Sequence, residues 1–145
     1  MKDCGSCHEC CKDTLKTVVD GEDLCASGQC KNLGKSGCSI YESRPSMCSQ
    51  YECGWRLNDM PIWMRPDKSG VIVNVMTEDV IYFKDQMVPY VVPTGKTISE
   101  RVLNYLVSLG RPFRFVQEKG DQVSIGVYGD EALKIHVKEL GATWH

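Results

Sequence analysis

The chain has 145 residues, 42% of them hydrophobic and 25% charged, a globular balance that excludes a disordered or fibrous protein. A formal net charge of -2 gives no general attraction to DNA, RNA or anionic lipid, so nucleic-acid binding is not expected. No window reaches the roughly 18 consecutive apolar residues that a bilayer span needs, and the opening MKDCGSCHECCKD has no apolar core for secretion. No membrane association and a cytoplasmic, reducing location are therefore expected.

Nine cysteines, Cys4, Cys7, Cys10, Cys11, Cys25, Cys30, Cys38, Cys48 and Cys53, all precede residue 54. In a reducing compartment they stay thiols instead of pairing as structural disulfides, so metal ligation is the leading explanation. The same stretch holds only scattered large apolar residues, among them Leu15, Val18, Leu33, Ile40, Tyr51 and Trp55. These are too few to offset the entropy of ordering the chain, and a metal staple is expected.

Cys4-x2-Cys7-x2-Cys10-Cys11 sets four sulfurs within residues 4–11, and each C-x2-C step lets two sulfurs converge on one ion through a tight turn. The steps also match part of the ferredoxin iron–sulfur spacing, in which a more distant cysteine completes each cluster; Cys11, following at once, departs from it. Cys30, Cys38, Cys48 and Cys53 supply four more sulfurs. The pool leaves open one [4Fe–4S] cluster with a zinc site, two zinc sites, or one centre with spare thiols. Soft thiolate surroundings argue against magnesium, calcium or manganese.

From Val71 the pattern becomes that of ordinary secondary structure. VIVNVM (71–76) and VIYF (80–83), separated by the polar Thr77-Glu78-Asp79, read as a hairpin. MVPYVV offers a third strand, which Pro89 confines to an edge or interrupts. Thr97 followed by Glu100 is a capping-box signature, and Ile98, Val102, Leu103, Leu106 and Leu109 repeat at helical spacing until Gly110 and Pro112 end the run. RFVQE and QVSIGVY flank Lys119-Gly120-Asp121 as a second hairpin, and Asp130 can cap a final helix carrying Leu133, Val137 and Leu140. Pro61 and Pro66 mark a junction near residues 60–68. The expected class is α+β: residues 1–60 form a Cys-rich, loop-dominated metal-binding domain, and 61–145 a small α+β domain of two hairpins and two helices.

Other motifs fail on their own requirements. Gly95-Lys96-Thr97 resembles the end of a phosphate loop, but Tyr90 stands where that loop needs glycine. A radical-SAM site needs a third cysteine where Thr14 stands, and so short a chain cannot build the usual barrel. His136 sits in the final helix and reads as part of its packing rather than as a partner for a nucleophilic cysteine. Trp55, Arg56, Trp63 and Arg65 mix aromatic and cationic residues as single-strand binders do, yet such mixtures are common in cores and interfaces.

Cys4-x2-Cys7-x2-Cys10-Cys11, then Cys30, then Gly37-Cys38-Ser39-Ile40-Tyr41-Glu42-Ser43-Arg44-Pro45-x2-Cys48, then Tyr51-x-Cys53-x-Trp55, together resemble the CxxCxxCC cysteine-cluster (YkgJ-like) family over about the first third of the chain. Its members are described as zinc- or iron-chelating proteins. Some larger proteins similar in this motif are flagellin lysine methylases described as using an iron–sulfur cluster, which tilts the expectation toward iron–sulfur over zinc. The ligand set implied is Cys4, Cys7, Cys10, Cys11, Cys30, Cys38, Cys48 and Cys53. Cys25 lies outside the pattern and His8 holds a position often occupied by glycine, so both stand as additional candidates.

Around these ligands, Pro45 fixes the backbone before Cys48. Tyr41 and Arg44 can act behind the sulfurs, Arg44 by donating hydrogen bonds that offset thiolate charge. No catalytic set is recognisable, and the expected role is a non-enzymatic accessory or assembly protein with a structural metal centre and a protein partner. An iron–sulfur redox component or enzyme subunit, and a zinc or iron chelator or carrier, remain the alternatives.

Overall fold

The computed structural model describes residues 7–11, 18–27, 29–76, 80–94 and 97–139. Its α+β architecture divides by element length. Before Gly54 the pieces are short: a 3-10 turn at Glu9–Cys11, β1 (Val18–Val19) paired with β2 (Glu22–Asp23), and β3 (Leu33–Gly34) paired with β4 (Gly37–Cys38). A 3-10 turn at Tyr41–Ser43 and helix α1 (Ser46–Gln50) follow. Among the described residues of this stretch, Leu24 and Cys25 are the hydrophobic side chains that become fully buried. That leaves little apolar burial, at about 1.5–3 kcal/mol per large side chain, to order some fifty residues.

Helix α2 (Gly54–Leu57), a 3-10 turn at Ile62–Met64 and helix α3 (Pro66–Ser69) lead into the sheet. Pro66 suits the first turn of α3 because its missing N–H would have no partner there. The strands are β5 (Val71–Asn74), β6 (Ile81–Phe83), β7 (Gln86–Val88), β8 (Tyr90–Pro93), β9 (Phe113–Lys119) and β10 (Gln122–Tyr128). Helix α4 (Glu100–Ser108) lies between β8 and β9, and α5 (Glu131–Glu139) follows β10. The main sheet runs β10-β9-β8-β5, antiparallel except for β8 beside β9, where α4 supplies the crossover a parallel pair needs.

The pairing differs from the sequence expectation. The runs at 71–76 and 80–83 do not pair with each other. β5 pairs with β8, Val71 opposite Pro93 and Asn74 opposite Tyr90, while β6 turns back on β7 through Lys84 and Asp85, both at positive φ. The expected turn at 77–79 lies outside the described residues. All four residues of β5 are buried, with β8 along its edge and α2 and α3 in contact with it. Pro89 interrupts MVPYVV as expected, separating β7 from β8, although β8 is a central strand.

The α4 cap also differs. Ser99, not Thr97, is the N-cap, its Oγ accepting from Val102 N–H at 3.3 Å. Val102 and Leu106 are buried, whereas Leu109 ends the helix at 43% exposure. The β9–β10 hairpin turns at Gly120–Asp121, and Asp130 Oδ1 accepts from Leu133 N–H at 2.8 Å to start α5. Leu140 lies outside the described residues.

One buried cluster joins Trp55, Met60 and Met64 to Val71, Val73, Val91, Val102, Leu106 and Phe113, so side chains on both sides of residue 60 share a core. Trp55 Nε1 donates to Pro61 O at 3.0 Å, pinning the indole beneath the proline junction. A second cluster packs Val88 against Leu133 and Val137 of α5. Arg114 is fully buried with its guanidinium 4.9 Å from the centre of the Tyr90 ring, its neighbour across the parallel pair.

Candidate metal centre

Backbone hydrogen bonds bring separate cysteine segments together. The Glu9–Cys11 turn closes through Cys11 N–H to His8 O at 3.0 Å, and Cys30 N–H donates to Cys11 O at 2.6 Å, tying the first turn to the loop that carries Cys30. Leu33 N–H donates to Cys30 O at 3.0 Å, and Leu33 pairs with Cys38 across β3 and β4. Pro45 accepts from Cys48 N–H at 2.9 Å and from Ser49 N–H at 3.0 Å to start α1. The proline ahead of Cys48 thus sets the entry to that helix.

The product is a cavity of about 380 Å³ lined by Cys7, Cys10, Cys11, Cys30, Cys38 and Cys48, with His8, Tyr41, Arg44, Tyr51 and Arg56 in the wall. One expected ligand lies apart from this lining. Cys53 packs against the hydrophobic cluster around Trp55, and Cys4 lies outside the described residues. Cys25 is 2% exposed, its N–H donating to Asp23 Oδ1 at 2.9 Å and its thiol directed to Cys11 O at 3.9 Å. It packs behind the first turn and does not line the cavity.

Charge within the cavity is patterned. The Cys11 thiol is lowered to about 7, chiefly by the hydrogen bond from Cys10 and against the raising effect of burial. Arg44 lies over the Tyr41 ring at 4.0 Å, and its guanidinium is held above its ordinary value by hydrogen bonding to Tyr41, then by Cys38 and Cys48. It therefore stands in the field of two sulfurs, as a charge-offsetting residue would. Burial, followed by Cys53 and Cys10, pushes the Tyr51 phenol well above the ordinary tyrosine value, so it stays neutral and can donate to Asn74 Oδ1 at 3.5 Å.

Tyr51 and Arg56 were not among the residues the sequence singled out for the site. The signal was present in Tyr51-x-Cys53-x-Trp55, where Tyr51 faces the cavity and Trp55 the core. The aromatic and basic set at 55–65 forms no common binding face. Trp55 is buried, Arg56 lies 3.7 Å from Glu52, Trp63 sits between Tyr105 and Arg101, and Arg65 pairs with Asp67. His136 packs on Phe83, ring centres 5.2 Å apart, in the second core cluster's surroundings.

Among the described residues no three His, Cys, Asp or Glu side chains converge closely enough to hold a single ion. A tetrahedral zinc with Zn–S bonds of about 2.3 Å needs its sulfurs only about 3.8 Å apart. Six thiols lining one cavity are a soft donor set, which in donor chemistry suits zinc or an iron–sulfur group.

No protein-family model matches this chain, and no curated protein or solved structure matches it either. Among the described residues no helix is long and apolar enough to cross a membrane.

Proposed function

We propose that this chain is a metal-binding protein whose cysteine-lined cavity holds an iron–sulfur centre, and that it serves as a non-enzymatic accessory or assembly protein in a reducing, cytoplasmic setting. The observation that carries this reading is the cavity. Six cysteines from four separate segments face it, in a part of the chain where, among the described residues, Leu24 and Cys25 are the hydrophobic side chains buried. Metal–thiolate bonds would supply the ordering free energy that apolar burial there does not. The resemblance to the CxxCxxCC cysteine-cluster family supports the same reading, and the iron–sulfur proteins similar in its motif favour a cluster over a lone zinc ion.

Cys7, Cys10, Cys11, Cys30, Cys38 and Cys48 would hold the centre, with Cys4 a further donor from the same motif; Arg44 would offset its negative charge. When bound, such a centre supplies structural cross-linking and, where reducible, one-electron chemistry. A protein partner is favoured by large hydrophobic side chains left exposed, one in the cavity wall and two on the chain that follows Arg56. Tyr41 is 58% exposed, Leu57 47% and Ile62 60%.

The test is iron, zinc and acid-labile sulfide analysis of protein purified without oxygen, with visible spectra before and after dithionite. Iron and sulfide in equal amounts support the proposal, and bleaching would add an electron-transfer role. Zinc without sulfide would replace the cluster with a structural or chelating zinc site. Neither metal would sink the reading.

A further inference from the structure

His8 stands among the thiols in a way that packing alone does not require. It follows Cys7 directly, lies in the wall of the same cavity as Cys10 and Cys11, and its carbonyl closes the turn that carries them. Its ring reaches across to the hairpin that carries Cys38. A Cβ built on Gly37 would stand 3.0 Å from His8 Cε1 and 3.3 Å from Nε2. Gly37 has φ +107°, a conformation L side chains rarely adopt, so both its backbone angle and its missing side chain shape the hairpin around the imidazole.

The imidazole makes no hydrogen bond or ion pair to another described residue, although it is half-buried. Among the described residues its nitrogens have no hydrogen-bond partner, and the cavity they share is lined by soft metal donors.

Resting on the iron–sulfur reading above, we propose that His8 donates an imidazole nitrogen to that centre, making it a mixed thiolate–imidazole site. A neutral imidazole in place of a thiolate removes one negative charge from the centre. It therefore raises the reduction potential, as His ligation does in other iron–sulfur proteins.

The experiment uses the full chain, purified without oxygen, with histidine labelled with 15N in a 14N background, reduced by dithionite and read by pulsed EPR. Strong nitrogen hyperfine coupling that shifts on labelling, survives His136→Gln and is lost in His8→Gln is the expected result. His8→Cys should keep the iron and lower the midpoint potential. Iron and sulfide with no histidine nitrogen coupling in the wild-type protein would overturn the His8 assignment and leave the cluster standing. Absence of iron and sulfide would overturn both. The labelling measurement on the wild-type chain decides the matter even where a His8 variant does not fold.

Discussion

Replacing Gly54 by alanine tests how the cysteine-bearing segment is joined to the sheet. Gly54 is the first residue of α2, follows Cys53 and is buried. A Cβ there would stand 2.7 Å from Val73 Cγ1 and 3.0 Å from both Val73 Cβ and Val73 O. Rotating the valine would relieve the first contact only, because its Cβ and carbonyl are fixed by the ladder that sets Val73 opposite Val91. The shortfall that remains is about 0.4 Å against ordinary contact at 3.4 Å, so α2 or β5 must move.

Overpacking of this kind costs about 1–3 kcal/mol, offset by at most about 0.5–1 kcal/mol from replacing a helical glycine. The net loss is then about 0–2.5 kcal/mol, centred near 1 kcal/mol, which is about 2–4 °C in Tm for a chain of this size. Thermal melts followed by far-UV circular dichroism read this directly. In Gly54→Ala combined with Val73→Ala, the two losses should sum to more than the double variant shows, by about 0.5–1 kcal/mol. A raised Tm for Gly54→Ala would mean that α2 does not seat on β5 as described.

Leu133→Ala removes a side chain 1% exposed beneath α5 and should cost about 2–5 kcal/mol in urea titration, whereas a loss below about 1 kcal/mol would contradict that packing. Cys7→Ser with Cys10→Ser should abolish metal retention and destabilise the N-terminal part, while Cys25→Ser, outside the cavity, should keep the metal; the opposite pattern in elemental analysis would refute the ligand assignment. The Asp67 carboxyl is held below its ordinary 3.8 by its hydrogen bond from Arg65, so the folded state binds its proton less tightly than the unfolded chain does. Its contribution is present above about 3.8 and is lost as pH falls through the depressed value. The stability gap between wild type and Asp67→Asn should therefore be measurable at pH 7 and shrink on acidification below pH 4, and a gap independent of pH would contradict this.

By itself the sequence determined what local chemistry fixes. The α+β class, α4 and α5, the Asp130 cap and the hairpin turning at Gly120–Asp121 follow from spacing, caps and turn residues acting within a few positions. Soft donors concentrated before residue 54 were equally legible, because thiol number and C-x2-C steps need no fold to be seen. Tertiary structure decided the rest.

Strand partners were not local. β5 chose β8, some twenty residues away, over the adjacent run, and all four of its residues are buried there. The capping role fell to Ser99 instead of Thr97 because the helix start is set by which turn packs Val102 and Leu106 into the core. Within the cysteine pool, spacing could not separate Cys53, which faces the Trp55 cluster, or Cys25, which lies behind the first turn, from the six that line the cavity. Nor could spacing reveal that His8 rests on Gly37, twenty-nine positions away. Which side chains share one space depends on chain paths that only long-range hydrogen bonding and burial fix.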